Sequence, residues 1–265
     1  MSCAFGISYI VQPGDTLFII AERKLGDGNR WTEIKNPDGT APNPTQLQPG
    51  QELCLPGETG GGFATIVSGE TYTALFPNRN PLYIYDGLLG AAQHYASFCN
   101  EGTPDQCKRE AAAFLANISH ETGELVYVEE LNPQSDYCDS SNTTYPCVPG
   151  KTYHGRGPIQ LSWNYNYGAC GSAIGRDLLH QPELVSTDSA ITFLTALWFW
   201  MTPQAPKPSC HDAIRVSGFG MTIDIINGGI ECGKEAPTPQ ALHRIELYQR
   251  YAATLQVTPG QNLYC

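Results

Sequence analysis

The chain has 265 residues, 26 acidic side chains against 15 Lys and Arg, and a net charge of -11. An acidic chain with no basic tract argues against nucleic acid and anionic membranes as partners, and no run of eighteen apolar residues offers a transmembrane helix. Ten cysteines, none in a CxxC pair, and six histidines argue for an oxidising compartment and against a metal site; no cofactor is expected.

The first elements make a small unit. Residues 8–12 (Ser-Tyr-Ile-Val-Gln) read as a strand ended by Pro13-Gly14. Asp15 is placed to cap a helix with Leu17, Ile20, Ala21 and Leu25 on one face. A turn at 26–29 follows, then a short helix at 30–35 around Trp31, a Pro-rich loop to Pro49 and a closing strand at 50–56. Such a unit buries little core, and a Cys3–Cys54 bridge would support it. Gly57 to Gly62 reads as a flexible linker.

Helical patterns then take over. Residues 68–75 form a short element, and 86–99 a helix with Leu88, Leu89, Ala92 and Tyr95 spaced for burial. The central helix spans 104–121, with Thr103 as cap, Pro104 in the first turn and Gln106 completing a capping box. Ala111, Phe114, Leu115 and Ile118 follow at i, i+3, i+4, i+7, and Glu121 falls on the same apolar face. A carboxyl against an apolar surface is costly to ionise, which is the environment a general acid needs. Gly123 ends the helix. The chain can then turn and return Glu130 across a cleft; a continuous helix would put it about 13 Å away on the opposite side.

Residues 187–201 are apolar nearly all round, the mark of a buried helix, and 218–233 and 240–254 supply the last helices. Alternating strand patterns are absent, so the second domain is mainly α. Residues 153–167 are dense in amides and aromatics with little charge, which suits a neutral polyhydroxylated ligand. Asn142-Thr143-Thr144 is a glycosylation acceptor.

Two resemblances sharpen this reading. Residues 9–17 (Tyr-Ile-Val-Gln-Pro-Gly-Asp-Thr-Leu) and 47–53 (Leu-Gln-Pro-Gly-Gln-Glu-Leu) resemble the opening and close of a LysM domain. That resemblance implies binding of N-acetylglucosamine chains between the 14–18 and 43–47 loops, at Gly14, Asp15, Thr16, Phe18, Asn43 and Thr45.

Residues 114–123, 155–167 and 226–232 resemble, in the right order, the signatures of family 19 glycoside hydrolases, which are chitinases. The resemblance implies a two-lobed lysozyme-like fold with Glu121 as general acid and Glu130 as general base, Glu129 being the rival. It places Ser162 beside Glu130 to hold the attacking water. It puts His120, Gln160, Tyr165, Asn166 and Asn227 on the substrate cleft, and Glu231 and Arg244 in a charged network with the glutamates. Many plant relatives carry a longer insert where this chain has eight residues between Glu121 and Glu130, so fewer outlying subsites are expected. The same resemblance implies Cys138–Cys147 and Cys232–Cys265 bridges; Cys99–Cys107 is a plausible local pair, which leaves Cys170–Cys210.

The expectation is therefore a mainly α, lysozyme-like two-lobed catalytic domain (69–265), preceded by a small βααβ LysM domain (1–56) and a Gly-rich linker (57–68). Its implied function is that of a secreted, monomeric, inverting endochitinase acting on chitin and N-acetylglucosamine oligomers, with a defence role. A peptidoglycan-cleaving hydrolase and a catalytically weak chitin-binding defence lectin stay as alternatives.

Overall fold

The computed structural model describes residues 7–25, 28–55 and 62–265. The expected Cys3–Cys54 bridge and most of the expected linker lie outside the described residues. The chain divides into two compact units, the first mainly residues up to 59 and the second mainly those from 60 onward.

In the first unit, strand β1 (Ile7–Ile10) leads to helix α1 (Leu17–Leu25), a 3-10 turn (Gly28–Glu33) and strand β2 (Glu52–Leu55). The strands pair antiparallel, with Ile7 opposite Leu55 and Ile10 opposite Glu52. Val11, Leu17, Ile20, Ala21, Ile34, Leu53 and Leu55 make the small core. The cap differs from expectation. Thr16 Oγ1 accepts from Ile19 N at 3.2 Å and so caps α1, whereas Asp15 accepts from Tyr9 Oη at 2.6 Å and Gln12 N at 2.8 Å. Asp15 faces back to the strand, where the half-buried Tyr9 hydroxyl takes it as acceptor.

The second unit is helical: α2 (Phe63–Ile66), α3 (Gly69–Leu75), α4 (Tyr85–Gln93), α5 (Pro104–Thr122), α6 (Asn164–Ile174), α7 (Leu184–Thr187), α8 (Ser189–Met201), α9 (Cys210–Val216), α10 (Phe219–Glu231) and α11 (Pro239–Thr254). Phe63 and Val67, within the stretch read as linker, are buried in its core. Helix α5 runs through the middle, and every residue from Glu110 to Ser119 is buried. Its alanines let neighbours approach, and Phe114 fits edge-on against Phe98 and Trp200, with centroids 5.1 and 5.5 Å away.

One buried carboxylate ties two helices and the segment after α4 to this axis. Glu110 accepts from Trp200 Nε1 (3.0 Å), His211 Nδ1 (2.7 Å) and Cys99 N (2.9 Å). Arg215 Nη1 lies 2.8 Å from His211 Nε2. A guanidinium only donates, so Nε2 accepts and the ring proton sits on Nδ1, toward Glu110.

Several boundaries shift from the sequence pattern. Helix α4 ends at Gln93 instead of running to 99, because the chain turns so that Phe98 stacks on Phe63 at 5.6 Å and Cys99 takes a left-handed φ of 53°. Helix α10 is kinked at Asn227 (φ -145°, ψ 31°). Just beyond, a Cβ on Gly228 would fall 2.1 Å from Asp224 Oδ1, so any larger residue would have to push that carboxylate aside. Helices α2, α6, α7 and α9 lie outside the elements that periodicity identifies.

The Cys138–Cys147 and Cys232–Cys265 bridges are formed, with Cα atoms 5.9 and 5.2 Å apart. The Cys99–Cys107 and Cys170–Cys210 bridges are not, and all four residues are buried thiols. Cys170 on α6 lies near Tyr95 and Tyr167, while Cys210 opens α9 near Arg244 and Glu110. Burial pushes the thiols of Cys99, Cys170 and Cys210 up.

Candidate active site

The segment after α5 sets the geometry. Thr122 Oγ1 donates to Ile118 O (2.6 Å) and accepts from Leu125 N (2.8 Å), while Val126 N and Tyr127 N both donate to Thr122 O. Gly123, Glu124 and Leu125 all take left-handed φ values of 58–64°. The helix is thereby reversed within a turn, and Glu130 N donates to Gly155 O at 2.8 Å. The two glutamates of the expected pair enter different surroundings.

Glu121 Oε1 accepts from Arg244 Nη2 on α11. Arg244 also donates to both oxygens of Glu231 (Nε at 3.2 and 3.0 Å, Nη2 at 2.9 Å) and through Nη1 to Asn117 Oδ1 at 3.1 Å. Asn227 Nδ2 donates to Glu231 Oε1 at 2.9 Å; the α10 kink falls at this residue. Burial favours the neutral form of Glu231, but the bonds and charge of Arg244, with Asn227, outweigh it and hold the carboxyl below its ordinary range. Glu231 and Arg244 are fully buried. The charged network expected of them forms around Glu121, and neither side chain has exposed surface for a ligand to touch.

His120 is held 2.9 Å from His243, Nδ1 to Nδ1. Burial, then the charge of Arg244, pushes His120 down to about 4, so the ring is neutral near pH 7.

Glu130 belongs to a second cluster. Its Oε1 accepts from Tyr137 Oη at 2.6 Å and its Oε2 from Gly155 N at 3.2 Å. Glu129 takes a different set of partners, His154 Nε2 at 3.3 Å and Arg156 Nε at 3.4 Å. Burial favours protonated Glu129, but Ser186, His154 and Arg156 outweigh it and hold the carboxyl below its ordinary value. Glu129 is thus committed to an ion cluster, while Glu130 is held by two neutral donors.

The 153–167 segment lies beside this second cluster. Gln160 Nε2 donates to Gly157 O (3.0 Å) and Asn166 Nδ2 to Ser162 O (3.0 Å). Ser162 Oγ donates to Gln160 O at 2.8 Å; its proton is used there, leaving lone pairs to accept from a ligand or water. Tyr165 stacks on Trp163 (6.1 Å, 11°), and Tyr137 meets the Trp163 edge at 5.4 Å. Trp163 is 38 % exposed, a face on which a sugar ring can stack.

Tyr137, Trp163 as a platform, His243 and Asn117 were not singled out from the sequence. Trp163 lies in the segment marked for its aromatics and was legible there. Asn117 and His243 become partners only through contacts between distant helices.

In the first unit, Thr16, Phe18, Asn43 and Thr45 are exposed. Asn43 Oδ1 accepts from Thr45 N and Thr45 Oγ1 (3.1 and 2.9 Å), and Gly14 takes a φ of 86°. The Asp15 side chain is buried, engaged by Tyr9, Gln12 and Arg23.

Comparison with known proteins places the chain. The family profile described as chitinase class I matches residues 63–265, and the LysM domain profile matches residues 9–56. The chain belongs to the family 19 chitinases and carries an N-terminal LysM domain. It is 44 % identical over 238 residues to an endochitinase of Carica papaya, covering 77 % of this chain and 97 % of that one. Chitinase C of Streptomyces griseus superposes with a TM-score of 0.73 at 44 % identity, covering 77 % of this chain and all of the other. An inactive chitinase-like protein of Hevea brasiliensis is also 44 % identical, over 79 % and 77 % of the two chains.

Proposed function

We propose that this protein is a secreted endochitinase that cleaves β-1,4 bonds between N-acetylglucosamine units with inversion, Glu121 acting as acid and Glu130 as base. The observation carrying this reading is the contrast between the two carboxyls. Glu121 shares one guanidinium with Glu231, so two carboxyls face a single fixed positive charge. Glu231 holds Arg244 through both oxygens, while Glu121 meets it through one oxygen and is the acid assigned to protonate the leaving oxygen. Glu130, bonded by two neutral donors, is the base assigned to deprotonate water on the other face of the sugar. Because a close relative bears the name inactive, the reading rests on these two side chains rather than on family membership.

An inverting enzyme leaves room for water, with carboxyls about 6.5–9.5 Å apart against about 5–5.5 Å for a retaining one. The first product from the β-linked polymer is therefore expected to be the α-anomer, read by proton NMR before mutarotation. Initial β-anomer would overturn the assignment of Glu130. Chitin hexamer cleavage without release of sugars from bacterial walls separates this reading from a peptidoglycan hydrolase.

The LysM unit is taken to supply attachment. Thr16 and Phe18, with Asn43 and Thr45, offer exposed polar groups and an aromatic face to acetamido sugars. Deleting residues 1–60 is expected to weaken retention on solid chitin and leave short soluble oligomers hydrolysed at nearly the full rate, since tethering helps only on a polymer. A large loss on short oligomers would mean that the module completes the catalytic cleft.

A further inference from the structure

We propose that Tyr137 is a positioning residue for Glu130, its hydroxyl fixing the plane of the base so that one oxygen lone pair is kept for the attacking water. This rests on Glu130 being the base. A carboxylate turns easily about its last torsion, whose preference is broad, so its direction comes from its donors. Here the donors are unequal: Tyr137 Oη is 2.6 Å from Oε1, and Gly155 N is 3.2 Å from Oε2. The short bond sets the plane, and the longer one leaves Oε2 the less committed oxygen. Ser162, the hydroxyl expected to assist the base, sends its proton to Gln160 O instead.

Tyr137 remains a donor across the working range. Its proton is pushed up to about 12, first by the bond to Glu130 and then by burial. It therefore orients the base without exchanging protons with it.

The surrounding chain is built to hold this hydroxyl in place. Tyr137 has a left-handed φ of 55°, a conformation that persists in a non-glycine residue only where its neighbours over-determine it. They do so here. Tyr137 N donates to Ser135 Oγ (3.1 Å), and Asn164 N donates to Tyr137 O (3.3 Å). Asn164 then binds Asp139 through both ends of its amide, and the Cys138–Cys147 bridge begins at the next residue. The Tyr137 ring packs against Trp163, a contact that phenylalanine keeps.

Tyr137→Phe is the test, measured beside Glu130→Gln and the double variant on a chitin hexamer. The single variant is expected to keep its unfolding midpoint and its KM within about twofold, and to lose about 10- to 100-fold in kcat, as misplacement of a reacting group does. The acidic limb of its kcat/KM profile should move to higher pH, because a donor favouring the ionised base is gone. Adding Tyr137→Phe to Glu130→Gln should cost nothing more, since the hydroxyl acts only through that carboxylate. An unchanged kcat and acidic limb would overturn the proposal, as would a loss confined to KM, which would make Tyr137 a sugar contact. If Glu130→Gln itself keeps turnover, the base assignment fails instead, and the two failures are told apart.

Discussion

Glu121→Gln is expected to lower kcat on chitin oligomers by about 10²–10⁴-fold, the usual range for losing a positioned general acid, while the protein stays folded. Glutamine has the same shape and can still accept from Arg244, but it has no proton to give the leaving oxygen. Removing this charge leaves Arg244 paired with Glu231, so no buried ion is stranded and thermal stability should hold. The leaving group makes the test specific. An oligomer carrying a nitrophenyl group needs little protonation to depart, so Glu121→Gln should recover much of its loss there. Glu130→Gln should not, because activation of water fails with either substrate. Equal losses for Glu121→Gln on both substrates would remove it from the role of acid.

The stretch around that residue separates what local sequence dictates from what distant contacts impose. The apolar period of α5 and the stop at Gly123 are local features, and both are visible in the residues themselves. The reversal that follows is less so. Gly123 is suited to a left-handed φ, but Glu124 and Leu125 adopt one too, held by Thr122 and by Asn80 N donating to Leu125 O. No local rule assigns that conformation to a leucine. By the apolar face of α5, Glu121 stands among hydrophobic neighbours alone, whereas Arg244 reaches it from 123 residues along the chain. That contact came from resemblance, since no periodic pattern links two positions so far apart.

The helices that escaped notice have local reasons. Helix α6 contains Gly168 and Gly171, which lower helix propensity, yet both are needed because Tyr145 and the backbone of Arg176 pack where a Cβ would stand. Helix α9 has only seven residues, and its cap, Ser209 accepting from Asp212 N, is a short signal amid prolines. Asp15 and Thr16 form the opposite case, two adjacent capping types of which the chain uses the second because Tyr9 claims the first.

Arg244→Met should have the largest effect on the whole molecule. Arg244 and Glu231 are both fully buried, and the guanidinium serves Glu231, Glu121 and Asn117 at once. Removing one partner of a buried pair costs about 3–5 kcal/mol, because the remaining charge is left without compensation. For a domain of about 200 residues that corresponds to a fall of about 6–20 °C in Tm. Turnover should be lost as well, since Glu121 then has neither its orientation nor its balancing charge.

The pH dependence has a definite sign. Glu231 is depressed in the folded protein, so its contribution is full above its unfolded value of about 4.3 and fades as pH falls through the lower folded one. The gap between native and variant stability should therefore be widest near neutral pH and close in acid, where Glu231 can take a proton. Adding Glu231→Gln to Arg244→Met should restore much of the lost stability, by removing the stranded charge, and none of the activity. A single Arg244→Met variant within about 1 kcal/mol of the native protein would mean that water or a counter-ion reaches this cluster, and the account of Arg244 as the buried charge that holds Glu121 and Glu231 would fall with it.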